Sequence, residues 1–201
     1  MSALARVDAL TLRLGERTLF QGWSAEVPAG ITLVCGDEGT GKSTLLRLLA
    51  GVLRPQAGRV EAPPADQVFW VDAFDPALDP VPARALLERW TAPFPARKPW
   101  GDGLAALDLL PHLDKPMYML STGSRRKVGL AAALASGARL VLLDQPFAGL
   151  DLPSERVVCQ WLARLADRPD RACVVADYLP PRGVALAAVL DLDTLPLRTT
   201  G

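Results

Sequence analysis

Gly36-Asp37-Glu38-Gly39-Thr40-Gly41-Lys42-Ser43-Thr44 fits the phosphate-binding pattern G-x-x-x-x-G-K-[ST]. The flanks are what the pattern requires. Ile31-Thr32-Leu33-Val34-Cys35 is a short apolar, β-branched run suited to a buried strand, and Leu45-Leu46-Arg47-Leu48-Leu49-Ala50, closed by Gly51, is a run of strong helix formers. Three glycines let the backbone curl around a phosphate chain with its N–H groups inward, and the helix adds its positive N-terminal end. Lys42 supplies a full positive charge to the β- and γ-phosphates, and the Ser43 hydroxyl is placed to ligate a bridging Mg2+. Residues 36–44 are therefore read as a nucleoside triphosphate site, with the Asp37 and Glu38 side chains expected to point away from it.

The rest of the chain has room for a domain around this loop. Half of its 201 residues are hydrophobic, enough to bury a full core. Lys plus Arg number 22 and Asp plus Glu number 22, so no overall field draws the protein to nucleic acid or to an acidic membrane surface, and no nucleic-acid partner is expected. Cys35, Cys159 and Cys173 are odd in number and lack C-x-x-C spacing, which reads as buried free thiols in a reducing compartment. The stretch Met1 to Asp8 has no basic segment leading into an apolar one, and no run approaches the ~20 uncharged apolar residues of a membrane span.

Outward from the loop, residues 4–14 and 17–27 read as two strands joined at Gly15-Glu16, because Leu10, Leu12 and Leu14 alternate with Thr11 and Arg13. Short strands are expected at Arg59-Val60-Glu61 and over Gln67 to Val71. From Ala83 to Leu110 the apolar spacing becomes helical, broken by Pro93-Phe94-Pro95 and Pro99, which predicts a small helical lobe. A helix capped by Ser121 runs to Gly137, Arg139 to Asp144 is a buried strand ending on a carboxylate, and Pro153 opens another helix. Ala172 to Ala176 and Ala187 to Leu190 are the last strands. Strands alternating with helices predict an α/β fold: a P-loop NTPase core on a largely parallel sheet, an N-terminal antiparallel β subdomain, and a helical lobe over about 82–136 inserted in a single domain spanning 1–201.

Two further stretches narrow the reading. Leu120-Ser121-Thr122-Gly123-Ser124 with Arg125-Arg126-Lys127-Val128 resembles the signature motif of ABC-type ATPases, usually L-S-G-G-Q, and Leu140-Val141-Leu142-Leu143-Asp144-Gln145-Pro146-Phe147-Ala148-Gly149-Leu150-Asp151 resembles that family's Walker B strand and D-loop. With the P-loop, in this order, the resemblance covers nearly the whole chain. It implies the ATP-binding, energy-coupling ATPase subunit of an ABC transporter, a peripheral protein on the cytoplasmic face of the membrane, held there by a transmembrane permease. Two such subunits, identical or different, would pair head to tail, each ATP lying between one chain's P-loop and the other's signature helix. Ser121 and Gly123 would then serve the partner's nucleotide, Asp144 would hold Mg2+ with Ser43, and Asp151 would lie at the dimer interface. The short chain and the Pro146-Phe147 pair also resemble the small ATPase subunit of bacterial haem exporters.

The sequence departs from the family at four places. Gln145 stands where the resemblance implies the glutamate that polarises the attacking water, and an amide cannot accept that proton. A positioned general base contributes about 10²- to 10⁴-fold in rate, so slow hydrolysis is expected, or a module that binds ATP without hydrolysing it. Asp177, or Tyr178 on an alignment shifted by one, takes the place of a histidine that contacts the γ-phosphate. Asp72 and Asp75 are the only candidates near the place of a glutamine that touches Mg2+ and the permease. Leu14 replaces an aromatic that stacks on adenine, while Phe20 and Trp23 read as core residues.

Overall fold

The structure is a computed structural model that describes residues 3–95 and 99–194. The start of the N-terminal stretch, Met1 and Ser2, and the middle of the proline-rich connection, 96–98, lie outside the described residues.

Among the described residues, eight strands and five α-helices follow one another as β1 (Ala5–Leu14), β2 (Arg17–Val27), β3 (Gly30–Cys35), α1 (Lys42–Leu49), β4 (Ala57–Glu61), β5 (Val68–Phe69), α2 (Ala83–Thr91), α3 (Gly101–Ala106), α4 (Thr122–Ser136), β6 (Leu140–Asp144), α5 (Leu152–Ala166), β7 (Ala172–Ala176) and β8 (Ala188–Asp191). They form two sheets, β2-β1-β4 and β5-β6-β7-β3-β8. The first is antiparallel and the second is parallel. This is the α/β architecture expected, with its antiparallel N-terminal subdomain. One strand is shorter than its sequence suggests. Of Gln67 to Val71 only Val68 and Phe69 pair with β6, opposite Leu140 and Val141, and the chain then leaves the sheet edge.

The parallel strands are apolar on both faces, and the period-two alternation sorts their side chains into two cores. Val141 and Leu143 of β6 and Cys173 and Val175 of β7 join a cluster with Leu86 and Leu87 of α2, Val128 of α4 and Val158 and Leu162 of α5. Leu140, Leu142 and Val174 face the other way, onto Leu45, Leu46, Leu48 and Leu49 of α1 and onto Leu10, Leu12 and Phe20 of the antiparallel sheet. The helical lobe shares the first of these cores, because Leu104, Leu107, Leu109 and Met117 belong to the same cluster as the sheet residues.

Strand order places the chemistry. β6, β7 and β3 are neighbours, so the loops leaving their C-terminal ends lie side by side, which is where ligands bind in open parallel sheets. Those loops begin at Gly36, Gln145 and Asp177.

Candidate functional site

The P-loop crosses from β3 to α1 in conformations that glycine accommodates. Gly41 is the N-cap of α1 in the left-handed region, φ 105°, and a Cβ there would come within 3.1 Å of the Phe20 ring. Gly39, φ 72°, lies under Arg17, whose guanidinium nitrogen would be 2.7 Å from such an atom. Lys42 is 6% exposed, and its ammonium donates to the carbonyl oxygens of Gly36 at 2.5 Å and Asp37 at 2.9 Å. It also sits 4.3 Å from the centre of the Tyr178 ring. Asp37 and Glu38 are exposed.

A cavity of about 480 Å³ opens over the loop. Its walls include Glu38, Gly39, Gly41, Lys42, Ser43 and Thr44 of the P-loop region, Leu14, Arg17 and Leu19 from the β1–β2 hairpin, and Gln145 and Tyr178 from the neighbouring loops. Asp177 is not among the lining residues, and Tyr178 is. The turn after β7 decides this: the Asp177 amide bonds the Val34 carbonyl, and its carboxylate accepts the Tyr178 amide at 2.8 Å, which directs the next side chain toward Lys42.

A second cavity, about 240 Å³, adjoins the first through Ser43 and Gln145, which line both. Asp144, Asp72, Arg47, Arg126 and Phe74 line it as well. Desolvation by the surrounding protein raises the Asp144 pKa, outweighing the neighbouring Ser43 hydroxyl and Arg47, and Asp72 adds repulsion. A carboxylate held in that condition beside a hydroxyl is a fitting place for a hard cation. Mg2+ takes one or two protein oxygens plus phosphate and water, so Ser43 and Asp144 fit it without an all-protein cage. Of the two aspartates left open by sequence, Asp72 lines this cavity and pairs with Arg47 at 3.6 Å. Asp75 caps the turn at Ala77, accepting its amide at 2.9 Å, and does not line it.

Gln145 has φ 44°, a left-handed conformation uncommon for a residue with a side chain, and its amide is bonded to the Ala176 carbonyl at 2.8 Å. Strain of this kind costs about 1–3 kcal/mol and is typical of functional loops. Asp177 is also desolvated and its pKa raised, against the pull of its bond from Tyr178 and the charges of Lys42 and Arg126. Arg126 lies over the Phe74 ring at 4.8 Å and donates to the Ala148 carbonyl; burial lowers its pKa while Asp144 and Asp177 oppose that.

Ser121 and Gly123 lie apart from the P-loop cavity of their own chain. Ser121 N-caps α4, accepting the Ser124 amide at 3.1 Å. A Cβ on Gly123 would meet the Gly149 carbonyl oxygen at 2.4 Å, so the start of α4 packs directly against the loop after β6. That loop ends on Asp151, which caps α5 through the Ser154 amide at 2.8 Å and pairs with Lys127 of α4 at 2.6 Å. These bonds hold the Asp151 carboxyl well below the usual carboxylate range.

Arg17, Leu19 and Tyr178 are wall residues of the P-loop cavity whose place sequence reasoning did not fix. Tyr178 was one of two alternatives, and Arg17 went unnoticed. Its signal was register: Leu14 faces Arg17 across the hairpin, so a residue opposite a suspected site position shares its face.

The family model described as ABC transporter matches residues 20–148. The cytochrome c biogenesis ATP-binding export protein CcmA of Novosphingobium aromaticivorans is 41% identical over 182 residues, covering 85% of this chain and 86% of that protein. The protein of the same name from Rhodobacter capsulatus is 35% identical, covering 97% of this chain and 90% of its own. Among solved structures, a dimeric ATP-binding cassette in a post-hydrolysis state with ADP and Pi superposes with a TM-score of 0.71 at 18% identity, covering 87% of this chain and 88% of that one, a likeness of fold.

Proposed function

We propose, from the premise that this chain belongs to the ABC transporter family and is an ATP-binding subunit of that kind, that it drives an export step of cytochrome c biogenesis through a membrane permease and hydrolyses ATP slowly. The observation that carries the reading is the meeting of Lys42, Ser43, Asp144 and Gln145 around two adjoining cavities at the C-terminal ends of β3 and β6. The export step is supported by the names of two CcmA relatives, each matched over most of its length. The whole chain acts as one nucleotide-binding domain, with the lobe of about 82–136 inserted in it.

The roles divide as follows. The P-loop amides of residues 36–44 hold the phosphates, with Lys42 leaving its two carbonyl partners and the Tyr178 ring for them. Ser43 and Asp144 would hold Mg2+, which when bound would supply charge stabilisation to the phosphates. Gln145 orients the attacking water without accepting its proton, and Asp177 lies behind Tyr178 as a charge that opposes phosphate from a distance. Ser121 and Gly123 stand away from this pocket, which supports their serving the nucleotide of a second subunit in a head-to-tail dimer. No helix among the described residues is long and apolar enough to cross a membrane; a permease partner holding the chain on the cytoplasmic face is part of the proposal.

Steady-state turnover of purified protein tests this. Slow Mg2+-dependent ATP hydrolysis, abolished with nucleotide binding in Lys42→Ala, is expected. Gln145 in the strained position also favours a second reading, an ATP-binding regulatory module: tight ATP binding with no turnover, alone or with a permease, selects it.

A further inference from the structure

The geometry points to Asp193 as a positioning residue for nucleotide binding, acting through the first peptide of the P-loop. The inference rests on the ATP-site reading above. β8 lies beside β3 with Asp191 opposite Cys35, so the chain leaving β8 runs past the chain leaving β3, which is the P-loop itself. The turn that follows β8 is built. Asp191 accepts the Asp193 amide at 2.9 Å, Thr194 donates its hydroxyl to the Asp191 carbonyl at 2.9 Å, and Leu192 is anchored by its amide on the Cys35 carbonyl at 2.9 Å and by a side chain 1% exposed.

Held this way, the Asp193 carboxylate accepts the Asp37 N–H with both oxygens, at 3.1 and 3.0 Å. That N–H and the Gly36 carbonyl belong to one planar peptide unit. Its oxygen is held by the Lys42 ammonium at 2.5 Å. One peptide plane is therefore fixed at both ends, by Lys42 on one side and Asp193 on the other. When phosphates claim Lys42, Asp193 alone keeps the plane, and with it the entry of the P-loop, in its orientation. The carboxylate is acceptor-only, so its bond to an amide is charge-assisted and stronger than a neutral one. Its charge alone works against an anionic ligand, which makes the sign of the effect decisive: a positioning role means that losing Asp193 weakens binding, and a mere repelling charge means that losing it strengthens binding.

The test is calorimetric titration of Mg-ATP into the full chain. Asp193→Ala is expected to raise Kd about tenfold, the low end for a bond to a charged group at an exposed position. Asp193→Asn, which keeps an acceptor oxygen, is expected to restore affinity to near wild type, with kcat at saturation unchanged in both. Hydrogen exchange gives a readout independent of any variant: the Asp37 amide of the wild-type chain, in an exposed loop, should exchange slowly both free and with Mg-ATP. Unchanged or tighter binding in Asp193→Ala, a lowered Tm with no change in Kd, or fast exchange at Asp37 in the wild type each overturns the assignment. A wild-type chain that binds no Mg-ATP sinks instead the nucleotide reading beneath it.

Discussion

Asp144 and Asp151 close the same loop at its two ends, and the protein treats them in opposite ways. Asp144, at the tip of β6, is desolvated, faces a second carboxylate at Asp72, and has its pKa raised. Asp151, at the head of α5, already has a cation in Lys127 and an amide in Ser154, and its pKa is lowered. The first keeps a raised pKa despite the nearby Arg47 and Arg126, a condition that a bound cation would relieve. The second is finished, and it ties α5 to α4 so that the Ser121 cap and the Gly149 contact of Gly123 keep one geometry. Under the proposed function, one region would serve chemistry and the other presentation, the division expected of a site shared between two chains.

The sharpest way to press this comparison is to change what lies between the two carboxylates. Gln145→Glu returns a proton acceptor beside the water and is expected to raise turnover about ten- to a hundredfold, part of what a general base contributes. The gain stays partial because Tyr178, with Asp177 behind it, is unchanged. Steady-state rates check this, and no gain means that chemistry is not limited at Gln145.

Asp144→Asn comes next. Affinity of the nucleotide complex for Mg2+ should fall about 10- to 100-fold, the scale of losing a supporting group at a metal site. The nucleotide-free protein should become more stable at neutral pH. A carboxylate whose folded pKa is raised binds more protons folded than unfolded between its unfolded value, about 3.9, and its folded one, so its contribution to stability declines as pH rises through that window. The amide removes the penalty, and the Tm difference between wild type and variant should shrink toward acid pH. Thermal melts across that range would show the reverse if Asp144 were already compensated.

Asp151 gives the smallest effect and the opposite sign. Asp151→Ala loses a helix cap, about 1 kcal/mol, which lowers Tm by about 2–4 °C in a chain of this size. Asp151→Asn keeps the cap and loses only the pair with Lys127. Because the folded pKa is depressed, the stability from Asp151 is present above about pH 3.9 and is lost as pH falls through its lower folded value. Equal losses in the two variants would assign the effect to the ion pair rather than the cap.

What sequence could show follows the same line. The P-loop, the strand ending on Asp144 and the Ser121 cap were legible because each rests on local residue types. The turn of Tyr178 toward Lys42 was not, since it depends on the bond of the Asp177 amide to β3 and on the Asp177 carboxylate accepting the Tyr178 amide. The left-handed conformation of Gln145 and the contact of Gly123 with Gly149 were hidden for a related reason: both arise where the loop after β6 meets a neighbouring element. Trp70 and Val71 read as strand by composition, yet pairing with β6 stops at Phe69 opposite Val141 although β6 runs on to Asp144, and they turn instead to line the cavity at Asp144.

The most direct measurement is sedimentation velocity of the purified chain with and without Mg-ATP. If Asp144 waits for Mg2+ with nucleotide while the Asp151 side holds Ser121 and Gly123 ready for a second chain, Mg-ATP should convert monomer to dimer, the dimer should outlast that of Gln145→Glu, and Ser121→Ala should weaken it. A chain saturated with Mg-ATP that sediments as a monomer at every concentration would contradict the account.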